Sequence, residues 1–258
     1  MIISQDGGDD DDDNAVPISP PFWCSISKSY ALRIEYRSEE YILKWKKSSH
    51  EPNLSQFPQL KEDVICERVT HSKEEATIWA SSHLRAFGSH AHVRKSVESA
   101  ASEGSFPMYK IAHRAEASQR FIRNEFGMLQ ELQSSGVPVV KIGKVPLTDE
   151  HGIFGFTMEE LYPIKPKDIP LYYQDIEDAL DELHKLDYII TDVTVSNVML
   201  TGRRQVRLID FGQAGKLGEP LPDYHPFRRH GKQKFELEMD IAGLEGIKQR
   251  IGLTLSCS

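Results

Sequence analysis

The sequence predicts an α+β fold, and two kinds of pattern carry that prediction. Short segments with alternating apolar residues, bounded by glycine, proline or polar turns, are typical of strands and are frequent before residue 118. Apolar residues three and four positions apart, typical of helices, recur at 118–136 and 170–186. The chain has 258 residues, 39% of them hydrophobic, which is enough for one globular domain of two lobes with a buried core.

The first 21 residues are predicted to form a disordered acidic and Pro-rich tail. Asp6 and residues 9–13 contribute six negative charges to a chain whose net charge is −8. A polyacidic run with glycines buries too little apolar surface to offset the entropy of ordering it. The alternatives for this run are binding of a basic partner and binding of a metal.

Residues 22–83 are interpreted as an N-terminal extension with a β-hairpin. "SYALRIEY" and "YILKWKK", within 29–47, alternate apolar and polar residues on either side of a polar turn. Residues 48–62 read as a connector, and 72–84 as a polar segment with helical character. After these come two extended segments joined by a turn at Gly88. The further elements expected are a strand in 105–112, a helix at 118–136, strands in 137–143 and 152–161, a helix at 170–186 and a last helix near 233–249.

Two acids and an amide are predicted to lie together at the open end of a hairpin at 197–210. "NVML" and "VRLID" flank the turn "TGRRQ", so Asn197 and Asp210 should be equally far from its midpoint and side by side. Asp192 precedes the first strand. Mg²⁺ prefers oxygen ligands, which makes Asn197 and Asp210 candidate metal ligands and Asp192 a candidate base. Either acid alone would be explained by a turn cap or a strand end.

The pattern D-x-x-x-x-N at 192–197, followed by D-F-G at 210–212, resembles the catalytic loop and metal-binding motif of the protein-kinase-like superfamily. The resemblance runs from about residue 84 to the C-terminus. It implies a two-lobed fold, with a small, mostly antiparallel-sheet N-lobe at about 84–161 and a shortened, mainly helical C-lobe at about 162–258. It also implies ATP and Mg²⁺ as cofactors and transfer of the γ-phosphoryl group to a hydroxyl of a protein or small molecule.

The resemblance assigns Lys110 on a strand to the phosphates and Glu125 on the next helix as its partner. Glu125 falls on an apolar stripe of that helix, and burying a lone charge is costly, so Glu125 needs a cation. Lys44 in "YILKWK" is the alternative strand lysine. It lacks a preceding glycine turn and the helix–strand–strand order that follows Lys110.

The same resemblance assigns the nucleotide-binding residues. "AFGSHAHV" at 86–93 is similar to a glycine loop that covers the phosphates, although it keeps only Gly88, and Val93 would pack on adenine. "FTMEEL" is similar to a hinge strand, with Met158 as gatekeeper and Glu159 to Leu161 offering backbone groups to adenine. With Lys110 and Asn197 joining Asp192 in catalysis, these residues complete the expected site.

The sequence departs from the family pattern in several places. Ile190 and Thr191 replace the usual His-Arg, so activity need not depend on phosphorylation of the following segment. Thr194 stands where serine/threonine kinases carry lysine, and only 46 residues follow Gly212. Asp240 falls on the predicted inward face of the last helix, together with Leu237, Ile241, Leu244 and Ile251, and it resembles the central-helix aspartate that binds the catalytic loop. The chain is thus similar to compact, divergent kinases of fungal or atypical type, and a catalytically weak pseudokinase, acting as a nucleotide-binding or protein-interaction module, is the alternative function.

Composition restricts the partners. The absence of a broad basic patch argues against nucleic acid, and no apolar run approaches the roughly 20 residues of a membrane helix. The three cysteines are scattered, so reduced thiols and an intracellular location, in the cytoplasm or the nucleus, are expected. We expect a monomer that binds ATP and a protein or small-molecule acceptor.

Overall fold

The structure is a computed structural model that describes residues 2–3, 14–24, 28–97 and 106–256. It is a mixed α+β structure with antiparallel sheets, as the sequence predicts. The acidic run at 4–13, predicted to be disordered, lies outside the described residues. The chain divides into two compact units, residues 1–100 with 148–152 and residues 101–147 with 153–258.

The first unit is built mainly from antiparallel strands. Its elements are β1 (Ile2–Ile3), β2 (Val16–Pro17), β3 (Phe22–Cys24), β4 (Ser29–Tyr36), β5 (Glu39–Trp45), β6 (Val64–Arg68), α1 (Lys73–Ala80), β7 (Ser82–Phe87) and β8 (Ala91–Ser96). One sheet has the order β2-β4-β5-β6, with β3 also paired to β4, and β7 pairs with both β1 and β8. The hairpin predicted at 29–47 is confirmed, since β4 and β5 pair from Tyr30 opposite Trp45 to Tyr36 opposite Glu39.

A buried arginine ties elements of the first unit together. The side chain of Arg94 on β8 is fully buried, and its guanidinium donates to both carboxylate oxygens of Glu35 on β4, at 2.8 and 2.9 Å. The guanidinium carbon also lies 4.0 Å from the ring centroid of Trp79 on α1. A bidentate, charge-assisted pair is among the stronger hydrogen-bonded contacts in proteins, so Arg94 should hold β8, β4 and α1 together.

The second unit carries the other helices. Its elements are β9 (Met108–Ala112), α2 (Glu116–Ser134), β12 (Tyr162–Pro163), α3 (Ile169–His184), β13 (Tyr188–Ile189), β14 (Val198–Leu200), β15 (Val206–Leu208), β16 (Gly215–Lys216) and α4 (Glu238–Ser256), while β10 (Leu147–Asp149) and β11 (Gly152–Met158) cross the division between the units. β9 pairs with β11, β14 with β12 and β15, and β13 with β16, all antiparallel.

The helices predicted at 118–136 and 170–186 are present as α2 and α3. Their apolar stripes are buried as the 3.6-residue period requires. In α2 this stripe includes Phe121, Leu129 and Leu132, and Glu125 is buried among them. None of the helices in the described ranges is long and apolar enough to cross a membrane.

Two predicted elements differ in the structure. Residues 137–143 form isolated bridges instead of a strand, because Val140 N donates to Leu208 O and Leu208 N to Pro138 O beside the β14–β15 hairpin. The last helix begins at Glu238, not near 233. Residues 233–235 are extended there, since Leu221 N donates to Gln233 O and Phe235 N to Glu219 O.

The buried face of α4 also differs from the prediction. Leu237 and Ile241 are 36% and 45% exposed, whereas Met239, Asp240 and Ile247 are buried. Asp240 therefore belongs to the inward face, as expected, but the leucine and isoleucine predicted to accompany it do not. Relative to the predicted orientation, the helix is rotated so that Asp240, whose carboxylate binds backbone N–H groups, lies at the centre of the buried face.

Candidate functional site

The centre of the candidate site is a lysine shared by two carboxylates. Lys110 on β9 places Nζ 2.8 and 2.7 Å from Oε1 and Oε2 of Glu125 on α2. The same Nζ lies 3.1 Å from Oδ1 of Asp210. The predicted Lys110–Glu125 pair is thus present, whereas the alternative, Lys44, pairs with Glu67 at 2.6 Å in an exposed contact of the first unit.

The carboxylates determine the charge of Lys110. Burial lowers the pKa of its ammonium group, but the charges of Asp210 and Glu125 outweigh that effect and raise the pKa above its usual range. Lys110 is therefore a fixed positive charge at neutral pH. A cation held in this way can bind a phosphate oxygen without first having to gain a proton.

Glu125 is also bonded to the chain that follows Asp210. Its Oε1 accepts from Phe211 N at 3.3 Å, and Phe211 is completely buried. Asp210 itself has φ 68° and ψ 60°, in the left-handed region that asparagine and aspartate tolerate better than other non-glycine residues. The Asp210 side chain is 51% exposed.

The second pair of the site joins Asp192 and Asn197. Asn197 Nδ2 donates to Asp192 Oδ2 at 2.8 Å and to Asp192 O at 3.0 Å. Burial raises the pKa of the Asp192 carboxyl, the hydrogen bond from Asn197 lowers it, and the nearby charge of Asp210 raises it further. The net effect is a pKa above the usual range, which makes Asp192 a better proton acceptor than an ordinary aspartate.

The hairpin that carries these residues is shifted by one position from the prediction. Its register pairs Val198 with Leu208 and Leu200 with Val206, and Ile209 N donates to Asn197 O at 3.0 Å. Asn197 therefore lies opposite Ile209, not opposite Asp210. The turn is centred on Arg203 because Thr201 N bonds back to Gln205 O.

The loop before Asp192 is held by Asp240, as predicted. Thr191 N donates to Asp240 Oδ1 at 2.7 Å, and Ile190 N donates to Oδ2 at 3.1 Å. His184 Nε2 lies 2.8 Å from the same Oδ2. Asp240 is completely buried, and Thr191 has φ 69°. The carboxylate thus accepts hydrogen bonds from two backbone N–H groups and supports a loop conformation that few threonines adopt.

The predicted hinge residues lie at the end of β11 and directly after it. Met158 lies opposite Met108 at the end of the β9–β11 ladder. Glu159 N donates to Lys141 O at 2.9 Å, and the Glu159 carboxylate accepts from Lys141 N and Arg207 Nε. Leu161 lies in the connection between β11 and β12 and is half-buried. The Glu159 side chain therefore anchors this connection to β15.

Gly88 and Val93 belong to the first unit. Gly88 lies in the turn between β7 and β8, and its N–H donates to Ala91 O at 2.8 Å. A Cβ at this position would lie 3.3 Å from that oxygen, so the turn favours glycine. Val93 is buried on β8.

Three residues whose role no sequence pattern indicated hold the segment after Asp210. Asn124 Nδ2 donates to Gly212 O at 3.1 Å and to Ala214 O at 3.3 Å. His225 Nε2 lies 3.1 Å from Gln213 O, and Thr191 Oγ1 donates weakly to that oxygen at 3.4 Å. Their acceptors are backbone carbonyls distant in the chain, and such contacts leave no motif in the sequence.

The oxygen donors suit a cation that arrives with phosphate. In the described parts of the chain, no group of three or more His, Cys, Asp or Glu side chains is arranged to hold a metal. Mg²⁺ is usually bound by one or two carboxylates together with substrate phosphates. Asn197 uses Nδ2 to bind Asp192, so its oxygen Oδ1 could hold such an ion together with the Asp210 carboxylate, which also binds Lys110.

No protein-family model and no curated protein matches this chain. The chemistry of the site rests on the contacts that join Lys110, Glu125, Asp192, Asn197 and Asp210.

Proposed function

We propose that the protein is an ATP- and Mg²⁺-dependent phosphotransferase with a two-lobed, protein-kinase-like fold. It would transfer the γ-phosphoryl group of ATP to a hydroxyl of a protein or small molecule. The observation that carries the proposal is the position of Lys110 Nζ, bonded to Glu125 and to Asp210, with Asp192 near enough to Asp210 for their charges to interact. This arrangement combines a phosphate-binding cation, a metal ligand and a base.

Lys110 and its partners would bind the phosphates. Glu125 keeps the lysine charged and in place, and a charged lysine attracts the α- and β-phosphate oxygens. Asp210 and Asn197 would hold Mg²⁺, which when bound neutralises charge on the β- and γ-phosphate oxygens. The 51% exposure of Asp210 supports access by a ligand.

Asp192 would orient the acceptor hydroxyl and accept its proton. Its raised pKa brings the carboxylate closer to the basicity that proton transfer at neutral pH requires. Asn197 fixes the carboxylate through Oδ2, and Asp240 fixes the backbone that carries it. A base that is already oriented loses less entropy when the acceptor binds.

Thermal unfolding with ATP, in the presence and absence of Mg²⁺, tests the binding half of this proposal. A ligand that binds only the folded state stabilises it by about 2.7 kcal/mol at a hundredfold excess over Kd. We expect the melting temperature to rise with Mg-ATP, and the rise to shrink strongly in Asp210→Asn. Asp175→Asn, on an exposed face of α3, is the matched control and should behave like the native protein. An unchanged melting temperature at millimolar Mg-ATP would overturn the proposal.

A pseudokinase is the second candidate, and one observation favours it. Thr194 occupies the position of a lysine that would help to neutralise the transferring phosphoryl group, and its hydroxyl lies 2.9 Å from Ser196 Oγ. That position supplies no positive charge. Stabilisation by Mg-ATP without turnover, for protein and small-molecule acceptors alike, would support the pseudokinase.

A further inference from the structure

Three consecutive backbone carbonyls after Asp210 accept hydrogen bonds from side chains of other segments. Gly212 O and Ala214 O accept from Asn124 on α2, and Gln213 O accepts from His225. We call these contacts the carbonyl clamp. Consecutive carbonyls of an irregular segment ordinarily point in different directions, so holding all three from outside fixes the orientation of each peptide plane.

Asn124 acts beside Glu125 on the same segment. Glu125 accepts from Phe211 N, and Asn124 donates to the carbonyls of Gly212 and Ala214. α2 also approaches closely here, since a Cβ at Gly212 would lie 3.2 Å from Phe121 Cβ. Two adjacent residues of one helix therefore determine both the N–H and the C=O directions immediately after Asp210.

His225 holds the middle carbonyl from the other side. It is 2% exposed, and its ring contacts Phe227 and Phe235. Nδ1 accepts from Phe227 N at 3.3 Å, which leaves the ring proton on Nε2, where it is donated to Gln213 O. His225 also caps the short 3-10 helix at 226–230, so it connects the segment after Asp210 to a structured stretch further along the chain.

We infer that Asn124 and His225 are positioning residues that fix the backbone carrying Asp210 through the carbonyl clamp. The inference rests on the proposed function, because Asp210 is assigned there to the metal. Thr191 stands where the family pattern has an arginine that binds a phosphorylated residue. The Thr191 hydroxyl lies 3.4 Å from the Gln213 carbonyl of the clamp. The clamp would therefore order this segment without phosphorylation.

Hydrogen exchange of the unphosphorylated protein tests the clamp without any ligand. Asn124→Asp replaces a donor by a carboxylate that faces two carbonyl oxygens, so backbone N–H groups of 211–217 should exchange faster. His225→Leu should have a similar effect, and His225→Gln, which keeps a donor, should restore part of the protection. Gln130→Glu is the matched control, because Gln130 on α2 also donates to a backbone carbonyl, that of Lys144. Asn124→Ser replaces Asn124→Asp if the charged variant fails to fold.

The Mg²⁺ concentration that gives half of the ATP-induced thermal shift tests the positioning role. Changing residues that support a metal ligand typically lowers metal affinity about 10-fold to 100-fold, so we expect a rise of about tenfold in both Asn124→Asp and His225→Leu, and none in Gln130→Glu. Unchanged protection of 211–217, or faster exchange without a change in Mg²⁺ dependence, would overturn the inference. If the native protein shows no Mg-ATP shift, the proposed function fails, and the exchange data alone decide whether the clamp exists.

Discussion

The ammonium group of Lys110 lies 2.7 Å from Glu125 Oε2, and the two residues are 15 positions apart in the chain. The Glu125 side chain is 3% exposed, so its charge is removed from water and depends on this lysine. Burial raises the pKa of Glu125 even beside Lys110, so the carboxylate is costly to bury, and without its cation it is more unfavourable still. The proposed phosphate-binding role of Lys110 and the stability of the fold are therefore coupled at this pair.

Lys110→Met should destabilise the protein by about 3–5 kcal/mol, because it leaves the Glu125 carboxylate buried without its cation. Lys44→Met is the matched control. Lys44 pairs with Glu67, which is 51% exposed, and exposed pairs contribute about 1 kcal/mol or less. Urea unfolding of both variants measures the difference. An equal loss of unfolding free energy in the two variants would show that the buried Glu125 carboxylate does not depend on Lys110. The double variant Lys110→Met with Glu125→Leu should recover much of the free energy lost in Lys110→Met.

Asp240→Ala should cost about 2–6 kcal/mol, since it leaves the N–H groups of Ile190 and Thr191 without their acceptor and each such buried group costs about 1–3 kcal/mol. Glu238→Ala, at an exposed position of the same helix, should cost far less. Chemical unfolding of the two variants checks this. A loss in Asp240→Ala no larger than that in Glu238→Ala would show that the carboxylate does not support the loop.

His225 should make stability fall in mild acid. Burial lowers the pKa of His225 below its usual value, and the hydrogen bond to Gln213 opposes the shift only in part. The unfolded chain therefore takes up a proton at a higher pH than the folded one, so stability is complete above about pH 6.5 and is lost as the pH falls below it. Burial likewise lowers the pKa of His83, so His225→Gln should reduce this dependence without abolishing it. His151→Gln, at an exposed site, should leave it unchanged, and a slope in His225→Gln equal to that of the native protein would contradict the account.

Asp192→Asn should leave thermal stability at pH 7 unchanged or slightly higher. The folded-state pKa of Asp192 is raised, mainly by burial. Stability is therefore lost as the pH rises from the pKa of the unfolded state through that of the folded state, because the folded protein must then hold the ionised carboxylate. An asparagine removes this cost, and its Oδ1 can still accept from Asn197 Nδ2. A clearly lower melting temperature at pH 7 would show that the carboxylate stabilises the fold.

The parts of the site that the sequence predicts are those carried by local spacing. Asp192, Asn197 and Asp210 lie within one hairpin and its preceding loop, so strand and turn patterns are enough to bring them near one another. The pairing of Lys110 with Glu125 is implied by the family resemblance, and the position of Glu125 in an apolar stripe supports it, because a buried glutamate requires a cation. The α+β class follows from the same two periodicities.

The hairpin register, the inward face of α4 and the role of Asn124 depend on contacts that sequence patterns do not predict. The one-residue shift that places Asn197 opposite Ile209 is set by the turn at 201–205, whose geometry is not determined by its composition. The inward face of α4 is decided by backbone N–H groups that bind Asp240, not by the count of apolar residues. Asn124 lies 88 positions from Gly212, and any amide would look the same in the sequence.

Mg²⁺-dependent ATP turnover by the purified protein, compared with Asp192→Asn, tests the central claim most directly. General-base loss typically lowers the rate by about 10²–10⁴-fold, so Asp192→Asn should lose most of its turnover while its Mg-ATP-induced thermal shift stays that of the native protein. Asp210→Asn should lose the shift as well as the turnover. Turnover by the native protein that is fully retained in Asp192→Asn would contradict the assignment of this loop to catalysis.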